Sequence, residues 1–328
     1  MRVLITGAAG FIGFHVVSAL IARGDHVLGI DSLNDYYDPA LKYARLEQLG
    51  QGNFIFKQVD FADEDALDSV LEDELFDRII HLGAQAGVRY SLTNPRAYVR
   101  SNLVGHLNLL EVARARRVPM VYASSSSVYG GNTKMPFSVE DRTDHPVSLY
   151  AATKRADELM SETYAHLYHI PLTGLRFFTV YGPWGRPDMA PWLFAKAILA
   201  GEPIKVFNHG RMRRDFTYID DIVAGVLACN DSPPVDDSNV KPGGSVAAHS
   251  IYNIGNNQPE ELMRFIQLIE AATGKKAVCD FQPMQPGDVP QTYADIDAIR
   301  RDHGYLPTTS LELGIPKFVE WFRSYHSI

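Results

Sequence analysis

A glycine-rich turn near the N-terminus separates a short apolar run from a segment with helical patterning. The turn reads Gly7-Ala-Ala-Gly10-Phe-Ile-Gly13, follows the apolar run 2–6 and opens the segment 11–23. Glycine permits a tight turn and a close backbone approach, and the free N–H groups of a helix start attract anions. The turn therefore predicts a strand–turn–helix unit for the pyrophosphate of a dinucleotide. Its residues are Gly7, Gly10, Phe11, Ile12 and Gly13.

Short apolar runs alternate with longer helical patterns over the first 180 residues. The apolar runs cover 2–6, 26–30, 54–59, 78–81, 120–123 and 172–177, and the helical patterns cover 11–23, 63–73, 95–117 and 148–169. This alternation predicts right-handed crossovers and a parallel sheet that is covered on both faces. The predicted fold class is α/β, with a Rossmann-type doubly wound parallel sheet.

The pattern changes after residue 180, where Pro and Gly become frequent. Shorter helical patterns lie near 190–200, 218–229, 259–272 and 310–326, and the polar stretch 230–249 is typical of an exposed loop. We predict a dinucleotide-binding domain over 1–180. A smaller C-terminal α/β substrate-binding region over 181–328 is expected to be partly interwoven with it.

Composition excludes several classes of protein. The formal net charge of -8 leaves no basic field for a nucleic acid, and no apolar stretch has the length of a membrane span. Two cysteines without a nearby histidine cluster predict neither a disulfide framework nor a metal site. A cytoplasmic enzyme with no membrane or nucleic-acid partner is expected.

Acidic residues follow the second and third predicted strands. Asp31 comes about 20 residues after the glycine turn, where a carboxylate accepts the ribose hydroxyls of NAD and repels the 2′-phosphate of NADP. Asp60 and Phe61 follow the third strand and are candidates for the adenine side. The predicted cofactor is NAD.

A candidate catalytic group combines a serine run with a YxxxK pattern. Tyr150 and Lys154 are four residues apart in a helical segment and therefore lie on one face. A phenol with a pKa near ~10 becomes a usable base when an ammonium group favours its ionised form. Ser124 to Ser127 leave the fifth strand at its carboxyl end, where ligands of such sheets bind.

Taken together, these motifs resemble the NAD-dependent epimerase/dehydratase family of extended short-chain dehydrogenases over essentially the whole chain. Within it, five segments resemble the UDP-glucuronate 4-epimerases: 31–38, 81–90, 176–188, 214–221 and 285–290. The resemblance implies NAD-dependent C4 epimerisation of a UDP-sugar through a 4-keto intermediate, first of all UDP-glucuronic acid to UDP-galacturonic acid. It also implies a homodimer that pairs the helices at 95–117 and 148–169.

The same resemblance implies a role for individual residues. The catalytic residues would be Ser125, Tyr150 and Lys154. The NAD site would add Asp31, Asp60, Phe61, Leu82, Gly83, Gln85 and Asn102 to the glycine turn. The substrate site would comprise Ser125, Ser126, Ser127, Thr179, Arg186, Val206, Asn208, Arg211, Arg214 and Asp288.

Arg186 is the candidate partner of a sugar carboxylate, because a guanidinium can donate two parallel hydrogen bonds. Three other functions remain open: a UDP-glucose or UDP-N-acetylglucosamine 4-epimerase, a UDP-glucuronate decarboxylase, and a non-enzymatic NAD-sensing regulator. The decarboxylases usually carry a glutamate where this chain has Ser127, and regulators usually lose the tyrosine or the lysine. Both features favour the epimerase.

Overall fold

The computed structural model describes residues 1–50, 52–285 and 288–328. Its strands are β1 (Arg2–Thr6), β2 (His26–Asp31), β3 (Phe54–Gln58), β4 (Arg78–His81), β5 (Met120–Ser125), β6 (Leu172–Phe177), β7 (Thr179–Tyr181), β8 (Pro203–Val206), β9 (Arg213–Tyr218), β10 (His249–Ile254), β11 (Pro259–Glu261) and β12 (Val278–Phe281). Its helices are α1 (Phe11–Ala22), α2 (Ala40–Leu49), α3 (Glu64–Leu71), α4 (Tyr90–Thr93), α5 (Pro95–Tyr98), α6 (Gly105–Arg116), α7 (Leu149–Tyr168), α8 (Ala190–Ala200), α9 (Ile219–Asp231), α10 (Leu262–Thr273), α11 (Asp297–His303) and α12 (Leu311–His326).

Seven of the described strands form one parallel sheet in the order β3-β2-β1-β4-β5-β6-β10. The strand order reverses between β1 and β4, so their following loops diverge and leave a crevice at the carboxyl edge. Helices cover both faces of the sheet. The buried residues of α1 and α9 pack on one face, while those of α3 and α6 pack on the other. The predicted Rossmann-type α/β fold is confirmed.

The first six strands of this sheet lie where the sequence predicts them, within two residues at each end. The predicted helical segment 95–117 is helical from Pro95 to Arg116, and its course includes a π-helical stretch, Val99–Val104, between α5 and α6. The sequence analysis missed α2 and β10. Strand β10 lies inside the Pro- and Gly-rich part of the chain and pairs with β6 from His249 to Ile254. The division of the chain at residue 180 remains a prediction.

The C-terminal region packs beside the carboxyl edge of the main sheet. Strands β11, β9 and β7 form a small mixed sheet, and β8 pairs with β12 in parallel. Helices α8, α10 and α12 cover these strands with the aromatic side chains Trp192, Phe265, Phe318 and Phe322, which are all buried. Over the residues with described structure, no helix combines the length and the apolar character that crossing a membrane requires.

Candidate active site

One cavity of about 1340 Å³ follows the carboxyl edge of the main sheet and continues under the C-terminal region. Pockets for a single small ligand measure about 300–1,000 Å³. The cavity therefore has room for a dinucleotide and a second, nucleotide-sized ligand. Its walls contain nearly every residue that the sequence singles out, from the glycine turn to Arg214 and Asp288.

The glycine turn packs directly against its neighbours and leaves no space for side chains. Gly7 has a φ of 71°, and a Cβ placed on it would lie 2.8 Å from the backbone nitrogen of Gly83. A Cβ on Gly13 would lie 2.0 Å from the carbonyl oxygen of Gly7. The bare backbone thus forms a cradle at the start of α1, which fits a pyrophosphate as the sequence predicts.

Asp31 is the last residue of β2 and lines the same cavity. Its Oδ1 accepts a hydrogen bond from the backbone N–H of Leu33 at 2.8 Å, and the Nζ of Lys42 lies 3.8 Å away from it. Within the described residues, Oδ2 accepts no hydrogen bond, which leaves it available to ribose hydroxyls. Lys42 is buried and also donates to the carbonyl and the side chain of Asn34. Sequence reasoning missed this lysine because it lies in α2.

Two of the predicted cofactor residues make other contacts. Asp60 forms an ion pair with Arg100 and caps the backbone N–H of Ala62. Asn102 is buried behind the cavity wall, where its amide exchanges hydrogen bonds with the backbone of Gln85 at 2.9 and 3.1 Å. Asn102 therefore supports the loop after β4 from behind, and Gln85 itself faces the cavity.

The three predicted catalytic side chains all line the cavity. Tyr150 lies in the first turn of α7, which Ser148 caps by accepting the N–H of Ala151. Lys154 follows one turn later and is fully buried, with its Nζ donating to Asp157 at 2.9 Å. Ser125 ends β5 and lines the cavity with Tyr150 and Lys154. The serine, the tyrosine and the lysine thus line one cavity, and their catalytic roles stay predictions.

A buried ion pair supports the serine run from below, and no motif in the sequence pointed to it. Glu158 accepts hydrogen bonds from the Nε and Nη2 of Arg176 at 2.8 and 2.9 Å, and from the Oγ of Ser124 at 2.6 Å. The Nη1 of Arg176 also donates to the hydroxyl of Tyr129 at 3.1 Å. This network ties the end of β5 and the following turn to α7 and β6. It fixes the strand end that carries Ser125.

Arg186 reaches the cleft from the loop before α8. Its Nε donates to the Oδ1 of Asp188 at 3.0 Å, and its Nη2 pairs with Oδ2 of the same carboxylate. Its Nη2 and the hydroxyl of Tyr98 each lie 3.7 Å from where a Cβ on Gly87 would be, and the ring centres of Tyr98 and Tyr150 are 6.0 Å apart. The predicted carboxylate partner therefore lines the same part of the cavity as the candidate base. Asp188 and Tyr36, which sequence reasoning missed, complete its surroundings.

The far end of the cleft collects the residues proposed for the nucleotide. Arg214 lines the cavity, and burial lowers its pKa although Asp288 acts in the opposite direction. Arg89 lies 3.6 Å from the Oδ2 of Asp288, with its guanidinium 5.0 Å from the ring centre of Phe207. The N-terminal and C-terminal parts of the chain thus meet across this end.

Three of the predicted nucleotide contacts, Val206, Asn208 and Arg211, do not line the cavity. Val206 is fully buried, Asn208 donates to the carbonyl oxygen of Arg211, and Arg211 is exposed. Their roles stay predictions. The segment 285–290 includes Pro286 and Gly287, which lie outside the described residues. Among those that the structure describes, no group of His, Cys, Asp or Glu side chains is placed to hold a metal ion.

A crevice at the sheet's switch point, a glycine cradle and a paired tyrosine and lysine define an enzyme of the short-chain dehydrogenase type. The chain belongs to the NAD dependent epimerase/dehydratase family, whose model matches residues 3–255.

Individual relatives match over the whole length. Protein CapI of Staphylococcus aureus is 51% identical over 332 residues, which cover 99% of each chain. A probable UDP-glucuronate 4-epimerase of Rhizobium meliloti is 49% identical, over 98% of this chain and 97% of the relative. The crystal structure of UDP-glucuronic acid 4-epimerase from Bacillus cereus in complex with UDP-glucuronic acid and NAD superposes with a TM-score of 0.87. It is 33% identical and covers 99% of this chain and 100% of that one.

Proposed function

We infer that this chain is an NAD-dependent 4-epimerase of UDP-glucuronic acid. The observation that carries this conclusion is that Arg186 lines the same cavity as Tyr150 and the serine run. A neutral sugar offers nothing for a cation to bind at this point, whereas a hexuronic acid offers a carboxylate. Relatives with this activity in their names match over the full length of the chain.

The glycine cradle and Asp31 are the groups that would hold NAD. Bound NAD would supply a hydride acceptor and donor for C4 of the sugar, and it would be regenerated in each turnover. The open Oδ2 of Asp31 would accept hydrogen bonds from ribose hydroxyls, and the bare backbone at Gly7 and Gly13 would meet the pyrophosphate. The residues present fit the cofactor.

Tyr150 is proposed to move the proton at the sugar O4. It accepts this proton as C4 is oxidised to the ketone and returns it when C4 is reduced from the opposite face. Lys154 lies one helical turn away, where its Nζ pairs with Asp157, and would hydrogen-bond the nicotinamide ribose, while Ser125 would donate a hydrogen bond to O4. Inversion requires the sugar ring to turn about its diphosphate link between the two steps.

The 4-keto intermediate of this substrate is a β-keto acid, which loses carbon dioxide when its carboxylate turns perpendicular to the carbonyl plane. The enzyme must therefore restrain that carboxylate. Ser126, Ser127, Thr179 and Arg186 line the cavity and are proposed for this task. Decarboxylation by this chain is disfavoured, because Ser127 occupies the position where the decarboxylases carry an acid. A neutral-sugar 4-epimerase remains the main alternative.

A homodimer is part of the proposal. Side chains of the helical region 99–116 and of α7 expose apolar surface, which water disfavours unless another surface covers it. These side chains are Val99, Val104, Leu107, Leu159 and Leu167. A cytoplasmic location is likewise proposed, with Cys229 and Cys279 present as free thiols.

Proton NMR of the purified enzyme with UDP-glucuronic acid and a trace of NAD tests the proposal. We expect conversion to UDP-galacturonic acid with no net NADH and no carbon dioxide. A pentose product would identify a decarboxylase. No change with this substrate, followed by turnover of UDP-glucose, would identify a neutral-sugar epimerase. It would also exclude Arg186 as the residue that binds a sugar carboxylate.

A further inference from the structure

Arg186 does not enter the cleft as a free cation. Its Nε and Nη2 both point to the carboxylate of Asp188, two residues further along the chain, and meet one oxygen each. This is the parallel, two-bond arrangement that makes arginine–carboxylate pairs strong. The side chains of the two residues are 22% and 31% exposed, so the pair lies in the cleft wall rather than in bulk solvent.

Asp188 is held from the opposite wall of the cleft as well. The hydroxyl of Tyr36, in the loop between β2 and α2, donates to its Oδ2 at 3.0 Å. Gly87 makes this approach possible, because a Cβ there would lie 2.7 Å from the Tyr36 hydroxyl and 3.7 Å from the Nη2 of Arg186. Partial burial acts to raise the pKa of Asp188, but Arg186 and Tyr36 hold it below its usual value. The carboxylate is therefore ionised.

The carboxylate of the sugar would therefore meet an arginine that is already paired with Asp188. The Nη1 of Arg186 makes no hydrogen bond within the described residues, so it is the nitrogen left for the sugar. Because Asp188 already occupies the Nε and Nη2 edge of the guanidinium, a sugar carboxylate bound at Nη1 cannot form the two-bond pair that an arginine without this partner would offer. Asp188 thus weakens the attraction of Arg186 for any further anion.

We propose that Asp188 limits the grip of Arg186 on the sugar carboxylate, so that the ring can turn between the two hydride steps. This inference rests on the function proposed above. An epimerase must bind the sugar carboxylate in two orientations of the ring. An arginine without a carboxylate partner would bind one of these orientations so tightly that the ring could not turn. Asp188 is a positioning residue, because it acts through Arg186 and not on the reacting atoms.

Asp188→Asn tests the inference, since it removes the charge and keeps the shape. We expect the Kd of the NAD-loaded enzyme for UDP-glucuronic acid to fall about tenfold, equivalent to about 1.4 kcal/mol. The kcat of epimerisation should fall by a similar factor, while the Kd for UDP stays unchanged. A purely structural role would weaken substrate binding instead. Calorimetry measures both ligands, and circular dichroism with bound-NAD content verifies folding.

Two further variants make the result specific. Asp144→Asn is the matched control, because Asp144 pairs with Arg142 at the same two-residue spacing on the exposed surface. It should leave both constants unchanged. In an Arg186→Met background, Asp188→Asn should no longer tighten the binding of UDP-glucuronic acid. Tightening that persists there would make Asp188 a general source of repulsion and overturn the inference.

The two proposals fail in distinguishable ways. A wild-type enzyme that neither converts UDP-glucuronic acid nor binds it better than UDP would overturn both the proposed function and the role of Asp188. A wild-type enzyme that converts it, together with an Asp188→Asn variant that binds it equally or more weakly, would overturn only the role of Asp188.

Discussion

Replacing Glu158 by glutamine removes the negative charge that compensates Arg176 beneath the serine run. Both side chains are almost completely buried, and Glu158 accepts two hydrogen bonds from Arg176, one from Ser124 and one from the partly exposed Arg155. Breaking a buried pair by neutralising one partner costs about 3–5 kcal/mol, because the remaining charge is left in a medium of low polarity. That is a large part of the roughly 5–15 kcal/mol that stabilises a folded domain.

Urea unfolding at pH 7 measures the loss in the Glu158→Gln and Arg176→Met variants and in the double variant. We expect about 3–5 kcal/mol for Glu158→Gln and less for Arg176→Met, because Arg155 still pairs with Glu158 in that variant. The loss for both changes together should be clearly less than the sum, since the one charge then left without its partner, Arg155, is partly exposed to water. The exposed pair of Arg142 and Asp144 supplies the control, and Asp144→Asn should not shift the urea midpoint measurably.

The loss should also depend on pH. Burial acts to raise the pKa of Glu158, but Arg176 and Ser124 lower it below the usual 4.5. The ionised pair therefore stabilises the fold above about pH 4.5, and this stabilisation disappears as the pH falls below that value. The difference between the wild type and Glu158→Gln should shrink over the same range. A cost below about 1 kcal/mol, or one that stays constant with pH, would refute the reasoning.

Three shorter predictions concern the cofactor, the chemistry and the assembly. Gly13→Ala places a methyl group 2.0 Å from the carbonyl oxygen of Gly7, so we expect the purified variant to contain no bound NAD. Chromatography of the nucleotide released on denaturation measures this, and the control Gly131→Ala, which has open space around it, should retain NAD. Tyr150→Phe should lower kcat by about 10²–10⁴-fold in the NMR assay with unchanged UDP binding, and retained activity would exclude Tyr150 as the base. Leu107→Glu should shift the proposed dimer towards a monomer in analytical ultracentrifugation, and an unchanged sedimentation coefficient would place the interface elsewhere.

The sheet could be predicted largely because its strands are short, apolar throughout and separated by helical patterns. Strand β10 escaped because it follows a polar loop and reads His-Ser-Ile-Tyr-Asn-Ile, which is not a continuous apolar run. Its polar residues are satisfied by tertiary contacts instead: His249 pairs with Tyr122 and Glu162, and Asn253 accepts from Tyr129. Such contacts have no local signature in the sequence.

The candidate site divides in the same way. Residues that follow a strand at a fixed place, such as Gly7, Asp31 and Ser125, could be assigned because the carboxyl edge brings them together. Lys42 and Asp188 could not, because their roles depend on neighbours that are distant in sequence: Lys42 lies in α2, and Asp188 meets Tyr36 from 152 residues away. Motifs in the sequence place residues at the sheet edge more readily than they reveal contacts between distant segments.

The position of β10 has a consequence for how the chain folds during synthesis. Strand β6 is complete at Phe177, but its outer edge is paired only by His249–Ile254, more than 70 residues later. At about 5–20 residues per second, the ribosome needs at least several seconds to make the missing strand. For that time the nascent sheet presents unpaired N–H and C=O groups, a template for pairing with another chain. The yield of folded protein should therefore depend on translation speed between these two strands.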